Sequence, residues 1–415
     1  MATYLASNAS ELSAALLKAA GGDRIELLSG SYGDLNIKNI AFSSEVTIAA
    51  HGDGPPPIIN SISMTSAKNI TFDGIDLSFT PISDTLEWSC AFRASESSNI
   101  SIINSRVTGG DAISGIDPSS DPGTQGDSGI NGYPIGVGIN FLNCNQITIE
   151  NNTISEFSAG VRFSNVDGIT LNKNEIFGLR CVPVGGGNVN NVTMEDNYFH
   201  DMNPWKFGGD GDHGDFVHFW TTTSQKAPSE NFIFSGNEFS QGDGAAILGI
   251  YLDDNTNSIG FSNVVISDNV IYNGNAQGLR LENVSGLEIT NNSLIQSSGS
   301  PKDAPGIILS GATSDATISS NILGNISGLP LLDTTGNHIS IFNNFYVQKF
   351  ESIADGYYGN VFIASSLQEV DGRYGFLLLP GSTADQIGAG AQITSAPDPA
   401  DILAARFHIT TLAGD

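Results

Sequence analysis

One arrangement of apolar and polar positions recurs along most of the chain: apolar at i and i+2, Asn at i+5, apolar at i+7. It reads Ile147-Ile149-Asn152-Ile154, Ile169-Leu171-Asn174-Ile176, Val192-Met194-Asn197-Phe199 and Phe232-Phe234-Asn237-Phe239. It continues as Val264-Ile266-Asn269-Ile271, Leu287-Ile289-Asn292-Leu294, Ala316-Ile318-Asn321-Leu323 and Ile339-Ile341-Asn344-Tyr346. Earlier copies carry Ile75 or Ser105 in the Asn slot. Apolar residues two apart predict strands with one buried face. The Asn predicts a turn between strands, because Asn tolerates left-handed backbone. Successive Asn positions are 22 to 40 residues apart, with 23 the commonest step. A short fixed unit with insertions is the mark of a solenoid, and it fits an antiparallel sandwich poorly.

Each unit carries a second strand ahead of its Asn, usually opened by a small residue. These read Ala91-Phe92-Arg93-Ala94, Gly138-Ile139-Asn140-Phe141, Gly160-Val161-Arg162-Phe163 and Gly178-Leu179-Arg180-Cys181. Then come Phe216-Val217-His218-Phe219, Gly249-Ile250-Tyr251-Leu252, Gly278-Leu279-Arg280-Leu281 and Gly306-Ile307-Ile308-Leu309. The second and fourth positions are apolar and point inward, so the third points outward; by the same parity Cys181 points into the core. The outward column is Arg93, Asn140, Arg162, Arg180, His218, Tyr251, Arg280 and Ile308. Parallel strands stack ~4.8 Å apart, so six coils of this column span about 25–30 Å.

Four of the eight arginines lie in that column. Like charges in a row repel unless an anion relieves them, and guanidinium grips carboxylates bidentately. The column therefore predicts an extended polyanionic ligand, most simply a uronic-acid polysaccharide. Two long insertions enter it from one edge, Asp111 to Pro134 and His200 to Asp215. The second brings Trp205, Lys206 and His213 beside His218, and Trp205 and Trp220 suit stacking on sugar rings. Asp210, Asp212 and Asp215 alternate in a glycine-rich loop and suggest calcium, though the run lacks the last Glu of an EF-hand.

The chain has 415 residues and a formal net charge of −28, with charged residues at only 14%. That charge argues against nucleic acid and against an anionic membrane surface, and no apolar run is long enough to span a membrane. Three dispersed cysteines make neither a disulfide framework nor a zinc site. The first residues lack the basic start and apolar core of a signal peptide. Even so, the acidic, cysteine-poor composition favours a secreted, monomeric protein. Asn8 and Glu11 predict a capping box ahead of an amphipathic helix that Gly21-Gly22 stops.

Strand–turn–strand units of this size with an Asn ladder resemble the right-handed parallel β-helix of the pectin-lyase-like superfamily. The resemblance implies an all-β solenoid of eleven or twelve coils. Its segments would be an N-terminal cap over 1–23, the β-helix over 24–350 and a C-terminal wrap or tail over 351–415. A His/Tyr pair flanked by cations resembles the sites of alginate-type lyases and uronan C5-epimerases. The chemistry expected is β-elimination, with Arg162, Arg180 and Arg280 neutralising a C5 carboxylate, His218 as base and Tyr251 as acid. Tyr251 would serve as base instead if the arginines lowered its pKa. Lys206 and His213 stand in reserve, and Arg93, Asn140, Arg162, Trp205, Trp220, Asp253 and Glu282 bind substrate. The epimerases' Tyr-Gly-Phe/Val-Asp-Pro-His run is reduced here to Ile116-Asp117-Pro118-Ser119. The motifs of polygalacturonase-type hydrolases are matched only loosely, by Leu252-Asp253-Asp254 and Asp212-His213-Gly214. Hydrolysis by Asp253 and Glu282, epimerisation, and a non-catalytic carbohydrate-binding adhesin remain the alternatives.

Overall fold

The repeated apolar positions meet in register. Ile147 pairs with Ile169, then Val192, Phe232, Val264, Leu287, Ala316 and Ile339 follow on successive coils. Most of this column is fully buried. The computed structural model describes residues 1–82, 85–111, 134–204, 212, 214–256, 258–299, 301–328, 338–346, 361–362 and 376–392. Among them 31 strands pair side by side, and every strand pairing is parallel. Each full coil contributes three strand segments around one core. The Ala159–Asn172 strand serves two faces in turn, bending where Asn165 and Gly168 take φ of 56° and 78°. This is the solenoid that the periodicity predicts, in the β-helix form that the resemblance implies.

Phenylalanine rings follow one another along the axis of the core. Phe72, Phe92, Phe141 and Phe163 follow one another at ring-centroid distances of 5.8, 5.6 and 5.8 Å. The Asn ladder runs beside them. Asn152 Nδ2 donates to Asn174 Oδ1 at 3.0 Å and to the Ile102 carbonyl at 2.9 Å. The same pair of bonds recurs from coil to coil as far as Asn321, which donates to Asn344 at 2.9 Å. These amides satisfy buried backbone groups at the corner, where no strand partner reaches.

The left-handed residue of this turn is not the ladder Asn, as the sequence suggests, but its predecessor. Asn151, Lys173, Asp196, Asp268, Asn291, Ser320 and Asn343 all have φ between 53° and 57°. The ladder position keeps Asn for its two-sided hydrogen bonding.

At the N-terminal end the helix Ala9–Lys18 buries Leu12, Ala15 and Leu16 over the first coil. Asn8 Oδ1 accepts from the Glu11 N–H at 3.0 Å, while Glu11 Oε2 accepts from Ser7 N and Oγ at 2.8 Å. The return bond of the capping box thus falls one residue earlier than the sequence implies. Near the other end, Phe376, Ala384, Ala389 and Ala391, with Val361 and Phe362, cover Val270, Ile295 and Ile322 on the outside of the short-strand face. No helix among the described residues is long and apolar enough to cross a membrane.

Candidate active site

The outward column forms along one row of paired strands. Its register runs Ser63, Arg93, Asn140, Arg162, Gly185, His218, Tyr251, Arg280, Ile308. Arg180 is not in it, which corrects the sequence-based column. The coil's strand opens at Val184, and Gly185 takes the outward slot. The sequence held a signal for this. Arg93 lies 12 residues ahead of Ser105, Asn140 12 ahead of Asn152, and Arg162 12 ahead of Asn174; 12 ahead of Asn197 is Gly185. The Gly-Leu-Arg-Cys run imitates a ladder strand, but it lies in the connection before one. Cys181 accordingly sits outside the core and is partly exposed. Burial and the nearby Asp212 carboxylate push its thiol up to about 11, so it stays protonated.

The glycines of the strand that opens at Val184 leave room for side chains of the neighbouring coils. A Cβ on Gly185 would stand 2.8 Å from Arg162 Nη1, and one on Gly187 would stand 2.5 Å from Trp220 Nε1. The Arg162 guanidinium and the Trp220 indole therefore lie over two glycines, one coil each from their own strands. Arg162 is partly buried, and no acidic side chain forms an ion pair with it among the described residues. Burial holds its pKa below the usual arginine value, against the pull of Cys181 and Asp215.

His218 and Tyr251 stack face to face at 4.7 Å and 12°. His218 Nδ1 is 3.3 Å from Asp215 Oδ2, and its Nε2 is 3.5 Å from Asp253 Oδ2. Trp220 meets the same ring edge-on at 5.2 Å. The Tyr251 hydroxyl donates to Glu282 Oε1 at 3.1 Å, and Arg280 lies 4.7 Å over the Tyr251 ring. Arg280 is itself compensated: its Nη2 and Nε donate to Glu282 Oε1 at 2.9 and 3.1 Å. Burial raises the Tyr251 pKa, helped by the Asp253 and Glu282 charges and opposed by Arg280. The neutral phenol is therefore favoured at Tyr251, where the sequence allowed for arginines lowering its pKa. Burial also raises the proton affinity of Asp253, against the hydrogen bond to Tyr251 and the charge of Arg280. Asp253 and Glu282 stand on neighbouring coils, two positions past Tyr251 and Arg280.

Arg180 has a different place. Its side chain is only 6% exposed; Nη2 donates to Glu87 at 2.5 Å, Nε to Asp212 at 2.6 Å and Nη1 to the Pro134 carbonyl at 3.2 Å. Those partners come from three separate connections, each leading into a strand of the outward column, and a bridge between Asp111 and Pro134 joins the two ends of the longest. Glu87 carries no periodic signal, and the sequence reading missed it. Asp212 pairs with Arg180, and Asp215 faces His218. Among the described residues no group of three His, Cys, Asp or Glu is placed to hold a metal. Trp205, Lys206, Asp210 and His213 lie outside the described residues. Arg93 is exposed, and Asn140 on the next coil donates to Cys90 Sγ at 3.6 Å.

A parallel solenoid with these stacked columns is a right-handed β-helix by class. The chain belongs to the family described as "Right handed beta helix region", which matches residues 137–323 and 227–366. No curated protein matches it. Among solved structures it is similar to an alginate lyase from Paenibacillus sp. str. FPU-7, at 12% identity over 83% of this chain and 99% of that one, TM-score 0.40. It is also similar to the surface adhesin PfbA of Streptococcus pneumoniae, at 14% identity over 82% and 93%, TM-score 0.44. A third is the Family 28 exopolygalacturonase of Yersinia enterocolitica, at 12% identity over 82% and 78%, TM-score 0.35. At these values the likeness is one of coil architecture and not of activity.

Proposed function

We propose that the protein is an extracellular enzyme that cleaves a uronic-acid-containing polysaccharide by β-elimination in the groove over the Arg162–Gly185–His218–Tyr251 column. The observation that carries this reading is the Arg162 guanidinium lying over Gly185, free of a carboxylate partner among the described residues, beside the stacked His218 and Tyr251. A C5 carboxylate set on Arg162 has its charge offset, which acidifies the C5 proton. His218, its ring fixed between Asp215 and Asp253, takes that proton. The electron pair becomes the C4–C5 double bond, the C4–O4 bond breaks, and the departing O4 receives the Tyr251 proton. Tyr251 keeps that proton at working pH because it is buried beside two carboxylates. Arg280, tied to Glu282, positions the Tyr251 ring rather than the substrate. Arg93 and Asn140 extend the groove towards the N-terminal coils, and Trp220 offers a ring-stacking face.

A second reading has its own observation. Asp253 has a raised proton affinity and Glu282 stands on the next coil, the arrangement a glycoside hydrolase needs for an acid and its partner. Product chemistry separates the two. Incubation with uronate polymers is expected to generate the ultraviolet absorbance of a C4–C5 double bond; new reducing ends without that absorbance mean hydrolysis, and retention without either means binding alone. His218→Ala and Tyr251→Phe are expected each to lower kcat by about 10²–10⁴ while sparing retention. Full activity in both variants refutes the assignment.

A further inference from the structure

We propose that Trp88 is a distal sugar-stacking platform of the groove, which makes affinity depend on the length of the bound uronate chain. The proposal rests on the reading of the groove as a polysaccharide site. Trp88 is 69% exposed, and Leu86 and Ile82 in the same connection are 50% and 64% exposed. A tryptophan held this far in water, with exposed apolar neighbours in its connection, points to a ligand. A flat amphipathic ring suits a sugar face.

The connection is held in place. Ser89 N donates to the Leu86 carbonyl at 2.9 Å, Leu86 N donates to Ser89 Oγ at 3.1 Å, and Val137 N donates to the Ser89 carbonyl at 2.7 Å. Cys90 Sγ donates to the Trp88 carbonyl at 3.3 Å. Glu87, the residue before, is anchored to the buried Arg180. Bonds on both sides fix the backbone of Trp88 while its ring stays in solvent, so little order is lost on binding.

Its position fits a chain running along the column. Trp88 stands at the head of the Cys90–Ser95 strand, which carries the exposed Arg93. Arg93 lies between Ser63 and Asn140 in the column, with no carboxylate in either neighbouring slot. Four coil steps separate Arg93 from His218, about 19 Å at the parallel-strand spacing, the reach of several sugar rings. Arg93 would meet a carboxylate of that distant unit and Trp88 its ring face.

The test is calorimetric titration in the His218→Ala background, expected to retain substrate without turning it over, of the otherwise wild-type protein and of Trp88→Ala and Trp88→Tyr with uronate oligosaccharides from dimer to octamer. Wild-type affinity is expected to rise with length until the oligomer reaches from His218 to Trp88. Trp88→Ala is expected to lose that rise, by about 5- to 20-fold for the longest oligomers, and Trp88→Tyr to keep most of it. Wild-type length dependence in Trp88→Ala overturns the platform and leaves the proposed function standing. An equal loss at every length overturns it too, because Trp88 would then act near the reacting unit. A wild type that binds no uronate of any length overturns both.

Discussion

Tyr251 holds its proton because of what surrounds it, and the proposed mechanism uses it as the acid for that reason. Burial and two carboxylates favour the neutral phenol more than Arg280 favours the phenolate. Between about pH 8 and 10, where an ordinary tyrosine begins to ionise, kcat/KM is expected not to rise. A rise there that Tyr251→Phe removes would make Tyr251 the base. Asp254, one residue beyond the groove carboxylate Asp253, behaves in the opposite way. Burial raises its pKa, but hydrogen bonds from Thr221, Thr256, the Gly260 backbone and Asn283 outweigh that and leave it lowered. Thr221 and Thr256 hydroxyls each donate to it at 2.6 Å, and Asn283 donates at 2.7 Å. A carboxylate with a lowered folded pKa contributes stability above its unfolded pKa and loses it as pH falls through the folded value. Asp254→Asn is therefore expected to lower the midpoint of thermal unfolding at pH 7, with the gap to wild type closing as pH falls below the ordinary carboxylate range. His218, Tyr251 and Arg162 were legible in the sequence because strand parity alone sets which way they point. Glu87 was not, because nothing local distinguishes a loop glutamate that meets an arginine 93 residues away.

The strand–turn–strand unit divides its corner between two residues with different needs. The ladder Asn needs an amide, and the residue before it needs a left-handed backbone. Asn237 is fully buried and mid-ladder: it donates to the Met194 carbonyl at 2.8 Å and to Asn269 at 3.0 Å, and accepts from Asn197 at 2.8 Å. Asn237→Ala leaves several buried groups unsatisfied and is expected to cost about 3 kcal/mol in denaturant unfolding. Lys173, at φ 55°, has a side chain in a conformation that suits glycine. Lys173→Gly is expected to be neutral or to stabilise by about 0.5–1 kcal/mol, since relief of left-handed strain outweighs the added chain entropy. The repeat revealed the corner but not this division of labour, since Asn serves in both places, as Asn151-Asn152 and Asn291-Asn292 show.

Across the whole molecule, Arg180 joins three connections that stand far apart in the chain and close together along the groove edge. It is buried, and one of its acidic partners, Asp212, is buried with it. Removing the cation strands carboxylates that no longer have a counter-charge, so Arg180→Met is expected to destabilise the fold by about 3 kcal/mol. KM for long uronate chains should rise more than kcat falls, because the groove edge loosens while His218 and Tyr251 remain on their strands. An unchanged KM with a large loss of kcat would return Arg180 to the chemistry.

Period and parity are local properties of a chain. They fixed the solenoid, the Asn ladder and the outward course of His218, Tyr251 and Arg162, because a strand of alternating residues has one way to bury its apolar side. Which cations stay open to a ligand was decided only in three dimensions. Arg280 finds Glu282 within its own strand, and Arg180, in the connection ahead of a column strand, is paired with Glu87 and Asp212. Arg162 keeps its place over Gly185 because a glycine one coil away leaves it room. Charge pairing depends on distance in space, and insertions bring together groups that the periodicity of the chain does not relate.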